Sequence, residues 1–241
     1  MELKVISSSS LGNCYILCNE TSALIIEAGV PFAKVEQALD FKIFNIEGCI
    51  LTHRHLDHFK YANEYAKRGI SIFCNENVFE AADLRWKYKF NIVEHNKTFT
   101  LGDFTIKPFN LIHDVPCFGF YIKHPETGNF IFATDTSQIP YRFGKLHNIL
   151  IECNYEDNII DTNETHYKLR DRVANSHLSL KQVTEFLKMQ DLSELNNLVL
   201  LHLSESNSNI QQYKREITKE IGHPVEIALP ELQLTFNKEP F

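Results

Sequence analysis

The sequence predicts a layered α/β fold, with β-sheet at its centre and helices packed outside. Two observations carry this expectation: short apolar runs of strand length recur along the chain, rich in Ile, Phe and Val, and stretches of helical periodicity interrupt them. A third concerns organisation. Across the 241 residues there is no repeat, no Pro/Gly/Ser linker, and no low-complexity tract beyond four serines, so one domain over 1–241 is expected. Hydrophobic residues at 44% and charged residues at 23%, with only Gly 9 and Pro 8, exclude collagen-like, linker-like and disordered chains.

The elements follow in order. Leu3 to Ile6, Cys14 to Cys18 and Ala23 to Ile26 are the first strand-like runs. Phe32, Val35 and Leu39 then fall at i, i+3 and i+7, a helical stripe. Cys49 to Leu51 is again strand-like, Tyr61, Ala62, Tyr65 and Ala66 repeat at helical spacing, and Ile70 to Cys74 returns to a strand. Phe104 to Ile112, Phe118 to Ile122 and Phe130 to Ala133 form an antiparallel meander, followed by the run Ile149 to Ile151. Ser179 with Gln182 makes a capping box ahead of Leu180, Val183 and Leu187. After the run Leu198 to Leu201, Ile210, Tyr213, Ile217 and Ile221 form a last helical stripe stopped by Gly222 and Pro224, and Val225 to Leu229 closes the pattern. Asn154 to Asn175 differs: it is polar, with alternating charge, and reads as an inserted loop or lid over 154–176.

Charge and cysteines bound the function. A net charge of −7 argues against holding a polyanion on a generally basic surface, though not against a local patch. The cysteines at 14, 18, 49, 74, 117 and 153 form no C-x-x-C, and the four residue steps from Cys14 to Cys18 in an apparent strand span roughly 13 Å, too far for a disulfide. Buried, reduced thiols are expected. No stretch approaches the length of a membrane span and no signal-peptide core follows Glu2, so a cytoplasmic protein without membrane contact is expected.

The informative stretch is Thr52-His53-Arg54-His55-Leu56-Asp57-His58, directly after an apolar run. An H-x-H-x-D-H pattern arises by chance in roughly 1 in 1,000 sequences of this composition. In an extended loop, i and i+2 point the same way, so His53 and His55 converge on one ion. Asp57 and His58 sit where a helix begins, and their different direction suits a second ion. The meander places His113 and Asp135 at one end and His124 in a surface turn at the other. His202 directly follows a strand, whereas His147 precedes one and faces the wrong edge. His53, His55 and His113 are then the ligands of one metal, and Asp57, His58 and His202 those of the other, with Asp135 bridging both. Imidazole and carboxylate without thiolate suit two Zn²⁺ ions, with Mn²⁺ or Fe²⁺ chemically acceptable.

His53-x-His55-x-Asp57-His58 with the later His113, Asp135 and His202 resembles the metallo-β-lactamase-fold hydrolases, along essentially the whole chain. Ser9-Ser10-Leu11-Gly12-Asn13, Leu24 to Gly29, Phe132 to Thr136, Ile151-Glu152-Cys153-Asn154 and His202-Leu203-Ser204-x-x-Asn207 resemble the YycJ/WalJ group within that superfamily. The resemblance implies a four-layer αββα sandwich with metals at one edge, and a nuclease or phosphodiesterase activity, 5′-to-3′ exonuclease on DNA. Two departures stand: Glu27 lies where the family usually has Asp, and Asn154 to Asn175 follows no family pattern. Diiron relatives place Glu at the position of His55, secreted β-lactamases place Cys at that of Asp135, and nucleases with a large inserted domain need a longer chain. His177, in Ser176-His177-Leu178-Ser179, resembles the extra histidine that phosphodiesterases of this fold carry near the leaving group. Asp57 and His177 are therefore the candidate catalytic residues, Asp57 doubling as a ligand. His95, His124, His147, His166 and His223 read as structural or surface groups.

Two divalent ions about 3.5 to 4 Å apart make a hydroxide from a shared water at neutral pH, and they supply positive charge where phosphate binds. Arg85, Lys87, Lys89, Arg142, Lys145, Lys168, Arg170 and Arg172 are candidates for a strand-binding groove, with Trp86 and Tyr88 to stack on bases. For Arg85 to Lys89 an amphipathic surface segment fits equally well. The leading expectation is a dinuclear metal-dependent nuclease acting on DNA. The alternative is a small-molecule hydrolase of the same fold, acting on a cyclic phosphodiester, lactone or thioester. Purely structural metal is disfavoured, because the ligand sets leave room for water.

Overall fold

The computed structural model describes residues 1–158, 173–204 and 206–239. Its first half carries strands β1 (Glu2–Ser9), β2 (Gly12–Cys18), β3 (Ala23–Ile26), β4 (Ile46–Ile50), β5 (Ile72–Cys74) and β6 (Phe90–Ile92). Helices α1 (Phe32–Ala38), α2 (Leu56–Phe59), α3 (Ala62–Lys67) and α4 (Glu76–Ala81) lie between them. The second half carries β7 (Phe99–Leu101), β8 (Phe104–Leu111), β9 (Cys117–His124), β10 (Gly128–Ala133), β11 (Asn148–Glu152), β12 (Asn197–Leu201) and β13 (Glu226–Ile227). Helices α5 (Leu180–Lys188) and α6 (Ile210–Ile221) flank β12, and β14 (Gln233–Thr235) follows β13.

The strands form two sheets, ordered β14-β1-β2-β3-β4-β5-β6 and β13-β12-β11-β10-β9-β8-β7. Their facing sides meet in a core that includes Leu17, Ile26, Phe120, Phe132 and Val199. The other face of the first sheet packs Ile16, Ile25 and Leu51 against Phe32, Val35, Tyr65 and Val78 from α1, α3 and α4. Across the molecule Ile131, Ile149 and Leu200 meet Leu180, Val183, Phe186 and Tyr213 from α5 and α6. The result is the expected αββα layering. Central strands are buried on both faces, which is why they read as unbroken apolar runs rather than alternating ones; every residue of β2 is buried.

The run analysis misses β6, β7, β14 and α4. The three strands have only three residues each and stand at sheet edges, where one flank faces solvent and no apolar run is needed. His124 is a correction: it ends β9 and is buried, its ring 4.5 Å from that of Phe104, instead of lying in a surface turn. His147 is likewise buried, at the far edge as expected, and its Nδ1 accepts from the Asn129 amide (3.0 Å). A second correction concerns the start of the 154–176 segment. Asn154, Tyr155 and Glu156 are buried, and the Asn154 and Leu180 amides donate to Leu178 and Tyr155 carbonyls (both 2.9 Å), so these residues belong to the packed edge. Residues 159–172 of the expected lid, with His166, Lys168, Arg170 and Arg172, lie outside the described residues. The six cysteines are all buried and free, as expected. No helix among the described residues is long and apolar enough to cross a membrane.

Candidate metal centre

Strand direction gathers the site. β3 and β4 run parallel, as do β10, β11 and β12, while β9 lies antiparallel between β8 and β10. The carboxyl ends of β3, β4, β8, β10, β11 and β12 therefore deliver Glu27, the Thr52–His58 loop, His113, Asp135, Glu152 and His202 to one edge. Glu27, Asp135 and His202 hold left-handed backbone, with φ of 70°, 53° and 51°. Such conformations are costly for side chains with a Cβ and persist where the surrounding structure enforces them, often at functional sites. Close approach fixes the remaining wall. A Cβ on Gly29 would stand 1.8 Å from the Asp57 carbonyl oxygen and 2.5 Å from the Asn13 amide, so only glycine lets α2 settle against the β1–β2 hairpin.

The first cluster consists of His53, His55 and His113. His53 Nε2 lies 3.1 Å from His55 Nδ1, which lies 3.2 Å from His113 Nε2. Burial holds His53 and His113 below the usual imidazole range, so they stand neutral with lone pairs available. Nitrogens around a tetrahedral ion with bonds of about 2.0–2.1 Å lie roughly 3.3 Å apart, close to this spacing. The tautomer of His53 also fits. Thr52 Oγ1 donates to Glu27 Oε1 (2.5 Å) and so accepts from His53 Nδ1 (2.9 Å), leaving the Nε2 lone pair for the site.

The second cluster consists of Asp57, His58 and His202. His58 Nε2 is 3.2 Å from Asp57 Oδ2 and 3.0 Å from Asp135 Oδ2, and His202 Nε2 is 3.4 Å from Asp57 Oδ2. Burial opposes charge on His58, but Asp135 and Glu27 outweigh it and hold the imidazole well above its usual range. Burial likewise opposes charge on Asp57 and Asp135, yet their histidine neighbours hold both carboxyls well below the usual carboxylate range. A buried group of carboxylates thus calls for positive charge. His202 Nε2 and His113 Nδ1 have no hydrogen-bond partner among the described residues. Convergent imidazole lone pairs beside buried carboxylates are the donor set of a divalent metal site, and the residues present fit one.

Asp135 sits between the clusters: its carboxylate groups with His53 and His58, and also with Glu152, His177 and His202. All seven expected ligands are thus brought to one place. His177 joins them, with Nδ1 3.0 Å from Glu152 Oε2 and 3.4 Å from Asp135 Oδ1, and its ring stacks on His202 with centroids 5.5 Å apart.

The sequence reading gave no role to several supporting residues. Glu27, fully buried and pushed up by that burial, lies 3.2 Å from His58 Nδ1. Asn13 Nδ2 donates to Ser9 O (3.0 Å) and lies 3.1 Å from His58 Nε2. Asn75 caps α4 and donates to Thr52 O (3.0 Å) and Pro116 O (2.9 Å), pinning the ligand loop to the β8–β9 turn. Glu152, fully buried, accepts from the Thr136 and Leu178 amides (2.6 and 3.3 Å) besides facing His177. Glu27, Asn13 and Glu152 lay inside quoted motifs, so position was the available signal.

Four of the eight basic residues expected to form a groove are engaged locally, and Lys168, Arg170 and Arg172 lie outside the described residues. Arg85 pairs with Asp83 (2.6 Å), Lys87 with Glu80 (3.2 Å) and Lys145 with Glu194 (2.6 Å), while Lys89 donates to the Gly69 carbonyl (2.9 Å). Trp86 packs on the outer core and Tyr88 is exposed, the pattern of an amphipathic surface segment.

A family model described as the beta-lactamase superfamily domain matches residues 28–203. The chain belongs to the beta-lactamase superfamily. Exodeoxyribonuclease WalJ of Streptococcus pneumoniae serotype 2 is 27% identical to this superfamily member over 221 residues, covering 85% of this chain and 82% of that protein. Exodeoxyribonuclease YycJ of Bacillus anthracis is 22% identical over 226 residues, covering 86% and 84%. Among solved structures, the metallo-β-lactamase-fold protein YhfI from Bacillus subtilis aligns with a TM-score of 0.74 at 17% identity, covering 97% of this chain and 99% of that one, a likeness of fold. Superfamily membership and the donor set together make the protein a metal-dependent hydrolase.

Proposed function

We propose that the protein is a dinuclear metal-dependent phosphodiesterase that works as an exonuclease on DNA. The observation that carries the reading is the placement of His53, His55 and His113 beside Asp57, His58 and His202, with the Asp135 carboxylate between the two sets. Zn²⁺ suits these nitrogens and oxygens, and Mn²⁺ or Fe²⁺ is acceptable. Two such ions supply an acidified water and positive charge for the phosphoryl oxygens. The chain's own residues do the rest. His53, His55 and His113 would hold one ion and Asp57, His58 and His202 the other, with the Asp135 carboxylate placed between the two sets. Thr52 fixes the tautomer of His53, and the Glu27 carboxylate lies 3.2 Å from His58 Nδ1, so each set has one ligand with a partner behind it. Glu152 engages His177 Nδ1, which leaves Nε2 to carry a proton to the departing sugar oxygen.

That two relatives are named exodeoxyribonucleases supports a DNA substrate. The test is cleavage by metal-loaded protein of single- and double-stranded oligonucleotides labelled at either end. Stepwise shortening of DNA from one end is expected; turnover of small phosphodiesters alone would overturn the nuclease reading. One observation favours that second reading, a hydrolase of small substrates: Arg85, Lys87 and Lys145 are spent on neighbouring carboxylates instead of facing a common groove.

A further inference from the structure

Ser7, Ser8, Ser9 and Leu11, around the start of the quoted Ser9 to Asn13 motif, and Leu203 to Ser204 of the last motif remain without a role in the chemistry above. Both groups line a cavity of about 800 Å³, together with the start of α6. The cavity adjoins the metal centre. Gly29, in its wall, is the residue pressed against Asp57, and Ser8 Oγ accepts from the His202 amide (2.9 Å) and lies 2.6 Å from the Tyr15 hydroxyl, which is 3.3 Å from Asn13 Oδ1.

Charge distinguishes this cavity from its neighbour. Among the described residues no Asp or Glu lines it and the exposed Lys34, which does, ion-pairs with no carboxylate. The first turn of α6 carries no acidic residue, so its positive dipole end is uncompensated there. On the His113 side of the centre, a cavity of about 1030 Å³ is lined by Glu76, Glu80, Glu94 and Asp114 and by neither Lys nor Arg. A strand whose scissile phosphate sits at the centre must carry its next phosphate to one side. Toward His113 it meets Glu76 and Asp114, with Glu80 and Glu94 paired to Lys87 and Lys97; toward Ser8 it meets a lysine and a helix N-terminus. The Ser8 side also offers apolar surface that no core uses, with Leu11 87% and Leu229 52% exposed beside Val30, Tyr61 and Ile210.

We propose that this cavity is the subsite for the nucleotide adjoining the scissile phosphate, with Lys34 meeting its phosphate and Leu11 and Leu229 flanking its base. The proposal rests on the nuclease reading. It is tested by comparing KM for a short single-stranded DNA with KM for bis-p-nitrophenyl phosphate, which has no adjoining nucleotide, using metal-loaded protein. Lys34 and Leu11 are exposed, so Lys34→Glu and Leu11→Ala leave the fold intact, and metal content verifies this. Lys34→Glu is expected to raise KM for DNA at least tenfold more than KM for the small diester, and to reduce the salt slope of DNA binding by about one. Leu11→Ala is expected to raise it severalfold more. Glu76→Gln, in the acidic cavity, should leave the ratio of the two KM values unchanged. If the wild type cleaves DNA and neither Lys34→Glu nor Leu11→Ala moves that ratio, or if Glu76→Gln moves it more than they do, the subsite is overturned while the nuclease reading stands. A wild type that hydrolyses the small diester but neither binds nor cleaves DNA overturns both.

Discussion

His177 is held from two sides, by the Glu152 carboxylate at Nδ1 and by the face of His202. Burial opposes charge on the ring, but Glu152 outweighs it, and the imidazole is raised to about 9. A nucleoside alkoxide needs a proton to leave, whereas p-nitrophenolate does not, and a positioned acid contributes about 10²- to 10⁴-fold. His177→Ala is therefore expected to cost on the order of 100-fold or more in single-turnover cleavage of an oligonucleotide, but only severalfold on a p-nitrophenyl diester, at unchanged metal content. Equal losses on both would make His177 a phosphate-binding or structural residue. Because Glu152 acts through His177, Glu152→Gln should lower oligonucleotide cleavage in the wild type and add little in His177→Ala protein, a non-additivity that a double-mutant cycle measures. At this scale the sequence was legible where spacing carries chemistry, as in the H-x-H-x-D-H loop. It placed Glu152 and Glu27 inside motifs without giving either a role, since a buried carboxylate at a strand end looks in sequence like an exposed one, and only the fold brings its partner within reach.

At the scale of elements, local signals succeeded where they were physically complete. Ser179 and Gln182 form the expected capping box, and α6 ends at Gly222 with φ of 77°. Ser179→Ala should lower stability by about 0.5–2 kcal/mol, seen as a lower urea midpoint; an unchanged midpoint would mean that tertiary packing alone sets this helix start. Gly29→Ala acts across elements. Its Cβ would overlap the Asp57 carbonyl, so α2 must shift, with a cost of about 1–3 kcal/mol and weaker metal binding at Asp57 and His58 than at His53 and His55. Metal competition with a chelator would reveal the asymmetry, and equal weakening of both ions would contradict it. What sequence could not supply were β6, β7 and β14, because an edge strand makes half the contacts of a central one and needs no apolar run. The polar 154–176 stretch misled at its start for the opposite reason: Asn154 and Glu156 are buried polar groups, with Asn154 Nδ2 donating to the His202 carbonyl (2.8 Å).

For the whole molecule, a net charge of −7 and an exonuclease reading meet at the metal centre, where bound divalent ions reverse the local field. Oligonucleotide binding by metal-loaded His177→Ala protein should weaken steeply as salt rises, because each neutralised phosphate releases counterions; affinity that ignores salt would point to a small, neutral substrate. All of this depends on the proposed pair of ions, which residues from both sheets would hold with Asp135 between the two ligand sets. Elemental analysis of purified, metal-reconstituted protein measures that directly. The dinuclear centre predicts about two transition-metal ions per chain, with Asp135→Ala losing at least one of them and nearly all activity. A stoichiometry of one, unchanged in Asp135→Ala, would contradict it.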